Sequence, residues 1–338
     1  MKLAFLKNKN IFISGGTGSF GKKMISFLLD KTDVNKIIIY SRDENKQYKL
    51  KRLYNSKKLR FFLGDVRDKE RLNFAMQDID IVIHAAALKH VDMAEYNPFE
   101  YIKTNVMGAE NIISCAFNNN VEKVIALSTD KASSPANLYG ATKLLSDKLF
   151  IAANNYKGRN KIKLSVVRYG NVIGSRGSVV PLFLKQKQEK FFTVTDPSMT
   201  RFNITLKEGV DFVIFAIQDM LGGETFVPKL KSYSLENLIK AISPNAKVKY
   251  IGLRPGEKKH EEMISINDAF NTVEFKKHYV ILPNSETYKL TLKKYLKIKK
   301  NSKKVKKDFS YNSKTNSEFL STEEINKTIK NNITDIEY

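Results

Sequence analysis

Asn10-Ile11-Phe12-Ile13-Ser14-Gly15-Gly16-Thr17-Gly18-Ser19-Phe20-Gly21 is the stretch that decides the fold. Its first five residues are an apolar run that reads as a buried strand. Gly15, Gly18 and Gly21 follow at Gly-x-x-Gly-x-x-Gly spacing, and Met24, Ile25, Phe27 and Leu28 then recur at helical period. A strand, a glycine loop and a helix in that order let the backbone turn tightly and approach a pyrophosphate on the helix N-terminus. Gly15, Thr17, Gly18, Ser19, Phe20 and Gly21 are therefore candidate dinucleotide-binding residues.

Outward from this loop, apolar runs alternate with helical patterns. Strands are expected at Lys36–Tyr40, Arg60–Val66, Ile79–His84, Val124–Leu127 and Leu164–Tyr169. That alternation predicts an α/β fold, a Rossmann-like doubly wound parallel sheet with a smaller C-terminal α/β substrate lobe. Residues 1–170 form the expected cofactor domain, with 205–229 returning to it. Residues 171–204 and 230–285 form the lobe, and 286–338 a basic C-terminal segment with a terminal helix capped at Ser321 or Thr322.

The end of the second strand bears on the cofactor. An acidic residue there would favour NAD; Ser41 and Arg42 stand in that place, with Lys46 one turn on. A hydroxyl and two cations suit the 2′-phosphate of NADP, while Asp43 keeps NAD open. Asp65 is a candidate for an adenine edge. Ala85, Ala86 and Ala87 would let a ribose lie against the backbone, and Lys89 would reach a sugar or diphosphate. His84 and Asn105 are expected to be structural.

Leu127-Ser128-Thr129-Asp130-Lys131 leaves the fifth strand at the sheet edge where such folds bind ligands. Tyr139 and Lys143 follow, four residues apart and on one helix face. A Tyr serves as a base near neutral pH only if it falls well below ~10, which a nearby Lys and a nicotinamide cation would favour.

The whole-chain numbers narrow the classes. The chain has 338 residues, 58 Lys and Arg against 35 Asp and Glu, and a formal net charge of +23. The Lys excess is spread along the chain and densest at Lys293–Lys307, so it reads as solvated surface rather than a nucleic-acid site. A diphosphate-bearing substrate also gains from a positive field. No apolar run approaches the ~20 residues of a spanning helix. The Lys-dotted start does not read as a signal peptide, and a cytoplasmic location is expected. The single Cys115 excludes an intrachain disulfide, and the four histidines show no metal-ligand spacing, so no metal is expected.

Together the glycine loop, Gly64-Asp65-Val66, the Ala triplet, Ser128–Lys131 and Tyr139-x-x-x-Lys143 resemble the extended short-chain dehydrogenase/reductase superfamily. Within it, Ser41-Arg42-Asp43-Glu44, Ala87–Val91, Asp130-Lys131-Ala132, Arg168–Ser178, Met199–Phe202, Arg254–Lys258, Asp308–Tyr311 and Phe319–Ser321 resemble the inverting UDP-N-acetylglucosamine 4,6-dehydratases of pseudaminic acid-type pathways, such as those of flagellin glycosylation. The resemblance covers essentially the whole chain, and only the Lys-dense region before Asp308 departs from it. It implies that Thr17–Phe20, Ser41–Lys46, Asp65, Val66, Ala85, Ala86, Tyr139, Lys143 and Val172 hold a tightly bound, recycled NADP. It implies that Lys89, Asn171, Arg176, Thr193, Arg201, Arg254 and Glu257 hold UDP-N-acetylglucosamine, and that the protein is a homo-oligomer, a hexamer by family expectation.

The implied reaction is loss of water across C5–C6 of the sugar. Transient oxidation at C4, with Tyr139 as base, acidifies the C5 proton. The configuration-retaining relatives carry Asp-Glu where this chain has Asp130-Lys131. Lys131 is assigned as the C5 base and Asp130 as the acid for the C6 hydroxyl. The first role requires a neutral lysine, pulled down from ~10.4, and the second a desolvated, protonated carboxyl. Two other readings remain open: a UDP-N-acetylhexosamine 4-epimerase, which needs Tyr139 and Lys143 but not the dyad, and a non-enzymatic NADP-sensing regulator.

Overall fold

Six segments pair in parallel, as their apolar runs predict: β1 (Asn10–Ser14), β2 (Lys36–Ser41), the partly exposed edge strand β3 (Leu59–Leu63), β4 (Ile81–His84), β5 (Lys123–Thr129) and β6 (Lys163–Tyr169). The computed structural model describes residues 3–174, 178–187, 191–283 and 290–332. The strands stand in the order β3-β2-β1-β4-β5-β6, so the winding reverses at β1. Period-2 alternation buries both faces. Ile11, Ile13, Ile37, Ile39, Ile81 and Ile83 pack on one side with Met24, Ile25 and Leu28 of α1 (Ser19–Lys31). Phe12, Ile38, Val82 and Val124 pack on the other with Ile112, Ile113 and Phe150. Each such side chain contributes about 1.5–3 kcal/mol by leaving water.

The strand Thr225–Pro228 returns to pair in parallel with β6, after a helix over Leu206–Asp219. The turn between them is tied by Glu224, whose buried carboxylate accepts from Leu221 N, Gly222 N and Ser165 Oγ at 2.6–2.7 Å. The sheet then continues antiparallel through His278–Ile281, Thr272–Glu274 and Lys303–Lys304, ten strands in all among the described residues. This alters the expected extent of the lobe. Residues 272–281, assigned to it from sequence, belong to the large sheet because Val273, Val280 and Leu282 enter the same core as β1.

A second, smaller core gathers Ile173, Phe183, Phe192, Val194, Leu235 and Leu238. The terminal helix Thr322–Asn332 joins it through Ile325 and Ile329. Ser321 and Glu324 cap that helix reciprocally: Glu324 N donates to Ser321 Oγ at 3.2 Å and Ser321 N to the Glu324 carboxylate at 2.9 Å. The Lys-dense region is a short helix, Leu292–Ile298, anchored by fully buried Tyr295, followed by an edge strand whose lysines face water. No described helix is long and apolar enough to cross a membrane.

Candidate active site

The carboxyl ends of β1, β2, β4 and β5 open onto one cleft of about 890 Å³. It lies at the winding reversal, where parallel sheets leave a crevice for ligands. Gly15, Thr17, Gly18, Ser19, Phe20 and Gly21 line one end; Ser41, Arg42, Asp43, Lys46, Asp65 and Val66 stand along it; Ala85, Ala86, Lys89, Asp130, Lys131, Tyr139, Lys143, Asn171 and Val172 complete it. Gly15 has φ +67°, and a Cβ there would come 2.9 Å from the Ala86 backbone, so glycine keeps the floor open. Helix α1 starts at Gly18 with no side-chain cap, which leaves its first amides for an anion. These features fit a dinucleotide.

Ser14 organises the floor of the cleft. Its hydroxyl is 2.8 Å from His84 Nδ1 and accepts from Ala85 N and Ala86 N at 3.2 Å. Burial, with Lys143 adding to it, pushes His84 down to about 3. The imidazole is thus a neutral packing group, as expected. Asn105 sits in a π-helical turn, Ile102–Met107, and clasps the loop after β4. It accepts from Leu88 N at 2.9 Å and donates to Leu88 O at 3.0 Å and Thr142 Oγ1 at 3.0 Å. Asn105→Ala orphans both Leu88 groups, so it should cost about 2 kcal/mol. Urea unfolding would read that loss.

At the β2 end, Asp43 caps a helix over Glu44–Tyr54 by accepting from Lys46 N at 2.9 Å, and it also pairs with the Lys46 ammonium. Arg42 lies 3.7 Å from Asp65 and is largely exposed. Asp65 lines the cleft, as a residue expected to meet an adenine must, and it also accepts from Arg67 N, Nε and Nη2 at 2.7–3.0 Å. Two residues here escaped the sequence reading. Buried Gln47 ties Ser41 O, Ser41 Oγ and Phe62 O at 2.9–3.1 Å, and Arg67 neutralises Asp65.

The chemistry-bearing groups meet at the end of β5. A single 3-10 turn, Asp130–Ala132, is capped by Thr129 Oγ1, which accepts from Lys131 N at 3.3 Å. Asp130 is 1% exposed; its Oδ1 accepts from Thr129 Oγ1 at 2.9 Å and Lys131 Nζ at 3.1 Å, and its Oδ2 has no partner. Burial raises the Asp130 carboxyl above its ordinary range, against the pull of Lys131. Lys131 departs from expectation. Burial works to lower it, but Asp130 and a second carboxylate, Glu261, outweigh that and raise it. Glu261 Oε1 lies 3.2 Å from Lys131 Nζ.

Tyr139 and Lys143 lie one turn apart on the helix Leu138–Tyr156, both buried. Lys143 Nζ donates to Leu127 O at 2.8 Å, and burial lowers its pKa while Asp147 opposes. Tyr139 is not lowered by the protein's own groups: burial pushes it up to about 12, with Lys131 opposing. Beneath them, Asp147 accepts from Ser128 Oγ at 2.7 Å and pairs with Arg168 at 3.4 Å.

The substrate candidates divide. Lys89 and Asn171 line the cleft, and Asn171 Oδ1 is buried without a partner. Thr193 does not line it: its hydroxyl and amide pair with Gln186 at 2.7 and 3.1 Å. Arg201 is buried beside the cleft, donating to Thr200 O and Lys259 O and facing Glu261 at 3.8 Å. Arg254 and Glu257 share an exposed turn outside the lining, with Arg254 N donating to Glu257 at 3.3 Å. Arg176 lies outside the described residues.

Residues 11–283 match the polysaccharide biosynthesis protein family. The chain belongs to that family. It is an extended short-chain dehydrogenase/reductase. A UDP-N-acetylglucosamine 4,6-dehydratase (inverting) of Campylobacter jejuni subsp. jejuni strain 81-176 is 53% identical over 94% of this chain and 96% of its own. A UDP-glucose 4-epimerase of Rickettsia prowazekii is 46% identical over 77% of this chain and 79% of its own. Among solved structures, Pen from Bacillus thuringiensis superposes with a TM-score of 0.87 at 38% identity, over 97% of this chain and 98% of that one. The family match and these likenesses agree with the fold and motifs read from the sequence.

Proposed function

We propose that this protein is an inverting UDP-N-acetylglucosamine 4,6-dehydratase, a hydro-lyase with a tightly held NADP. The carrying observation is the pairing of buried Asp130 with half-buried Lys131 beside Tyr139 on the cleft: a C4 epimerisation has no use for it. The glycine loop and the α1 N-terminus would hold the pyrophosphate, and Ser41, Arg42 and Lys46 the 2′-phosphate. The use of Asp43 as a helix cap supports NADP over NAD. When bound, NADP accepts hydride from C4 of the sugar and returns it to C6.

The chain's own groups do the proton work. Tyr139 takes the C4 hydroxyl proton, and its high resting position means that it needs a cation beside it. Lys131 takes the C5 proton, which a C4 ketone makes acidic. Asp130 gives its proton to the departing C6 hydroxyl. Lys89 and Asn171 orient the substrate, with Arg254 and Glu257 reaching in from the turn above and Arg176, Thr193 and Arg201 as further contacts. The same reading places the protein in the cytoplasm as a closed homo-oligomer, a hexamer, at the first step of a surface-sugar pathway of the pseudaminic acid type.

The test is NMR of purified protein with UDP-N-acetylglucosamine in D₂O, no cofactor added, followed by denaturation and identification of the released nucleotide. A 4-keto, 6-methyl product, deuterated and inverted at C5, is expected, with NADP released. The 46% identity to a UDP-glucose 4-epimerase supports a second reading. A C4 epimer as sole product would establish that one and sink the first.

A further inference from the structure

Glu261 has no part in the proton steps above, yet it is among the most buried charged groups of the protein, 2% exposed. It immediately precedes the strand Glu262–Ile264, 130 residues beyond Lys131, and its side chain meets the lysine of the dyad. Its backbone is fixed: Glu261 N donates to Ser313 Oγ at 2.9 Å and Ser313 N to Glu261 O at 2.8 Å. One carboxylate oxygen lies 3.2 Å from Lys131 Nζ and 3.8 Å from Arg201 Nε; the other is buried without a partner.

The charges of this cluster constrain the chemistry. The Arg201 guanidinium is a permanent cation. With Asp130 and Glu261 ionised and Lys131 charged, the four groups sum to zero. Moving one proton from Lys131 Nζ to Asp130 Oδ1, 3.1 Å away, leaves a neutral amine, a neutral acid and the Glu261–Arg201 pair, which again sum to zero. That transfer breaks one N–H bond and forms one O–H bond. It creates together the base and the acid that the dehydration needs, with no net charge left in a poorly solvated site. The Glu261 charge raises both Asp130 and Lys131, but its contact is with the ammonium, at 3.2 Å, so it favours the ion-pair form.

We infer that Glu261 is a positioning residue for the dehydration: it holds the shared proton on Lys131, and the lysine becomes a base when that proton crosses to Asp130. This rests on the proposed function, whose base is Lys131. The other groups that bear on Lys131 are Arg201, Tyr139 on its helix, Tyr233 on the strand Ser232–Ser234, and Lys258, whose Nζ donates to Ser133 O at 2.8 Å. Arg201 opposes Glu261; Tyr139, when ionised, would join it.

The experiment reads the lysine directly, so it separates from the dehydratase test. The full-length protein is labelled with trace acetic anhydride at pH 9, and peptide mass spectrometry gives Lys131 acetylation relative to exposed lysines. Glu261→Gln should raise that ratio at least about tenfold, the equivalent of one pKa unit. Glu261→Asp, which keeps the carboxylate, should stay within about threefold of wild type, below half a unit. Arg201→Gln should lower the ratio, since it removes the opposing cation. In the dehydration assay, the acidic limb of kcat should move to lower pH in Glu261→Gln, because a cluster with one less negative charge binds an extra proton less readily. An unchanged ratio in Glu261→Gln, or Glu261→Gln and Arg201→Gln moving the same way, overturns the inference. A merely structural Glu261 would move all folded variants alike, and should Glu261→Gln not fold, the sign of Arg201→Gln decides.

Discussion

Lys131→Ala is expected to slow formation of the 4-keto, 6-methyl product by about a hundred- to ten-thousand-fold, the range a well-placed general base supplies. The alanine variant alone is ambiguous. Lys131 bridges two buried carboxylates at 3.1 and 3.2 Å, and removing it leaves Asp130 and Glu261 with only the Arg201 guanidinium, 3.8 Å from Glu261, to balance two negative charges. One of them must then take up a proton. The variant should therefore also lose stability, most at high pH where that proton is hardest to retain. Lys131→Arg separates the two effects. A guanidinium keeps the cation between the carboxylates but cannot accept the C5 proton. Lys131→Arg should unfold near the wild-type temperature and yet be as slow as Lys131→Ala. Product formation and C5 deuteration in D₂O give the rate, and thermal unfolding gives the stability. Turnover by Lys131→Arg within tenfold of wild type would remove Lys131 as the base.

Which parts of this site were legible in the sequence follows from the distance along the chain over which each contact acts. The glycine loop, Asp43 to Lys46 and Tyr139 to Lys143 are local, and their spacing alone places them on a turn or a helix face. The strands were equally legible, because burial on both faces writes continuous apolar runs such as Ile37-Ile38-Ile39. The charge state of Lys131 was not. It depends on Glu261, which no spacing connects to it, and the partner reversed the expected direction from lowered to raised. For Arg201 the sequence suggests only a substrate contact, because an Arg in a basic lobe suits a diphosphate; that its fork donates to the Thr200 and Lys259 carbonyls and faces Glu261 has no local mark. Position in the chain suggests the lobe for residues 272–281, whereas His278–Ile281 pairs antiparallel with Thr225–Pro228 and Thr272–Glu274 pairs in turn with His278–Ile281, which puts both in the sheet. Sheet extension at an edge leaves no local mark beyond a short apolar run.

Gly140→Ala should have the second large effect, at a residue the motif leaves unspecified. Gly140 lies between Tyr139 and the rest of the helix, just inside its N-cap, where Asn137 Oδ1 accepts from Gly140 N at 2.8 Å. A Cβ there would sit 2.2 Å from Lys131 O and 3.1 Å from the Pro135 side chain. The first obstacle is backbone, which cannot swing aside as a side-chain tip does. Helix propensity works the other way, since alanine is favoured over glycine by about 0.8–1 kcal/mol in a helix interior. The clash and the propensity thus oppose each other in stability but not in geometry. To admit the methyl, the Asp130–Ala132 turn must move away from the helix, which shifts the dyad relative to Tyr139. A displacement of about 1 Å at a reacting group can cost about a hundredfold in rate. The expected result is a folded protein, its unfolding temperature modestly lowered, with kcat for dehydration down about a hundredfold and dinucleotide binding kept. Binding is kept because Gly15 to Gly21 lie on a different loop. Dehydration rate, thermal unfolding and nucleotide content of the purified variant check the three parts. A Gly140→Ala protein with wild-type kcat would mean that the turn yields without moving the dyad, and that the close approach of helix and turn is packing without a catalytic consequence.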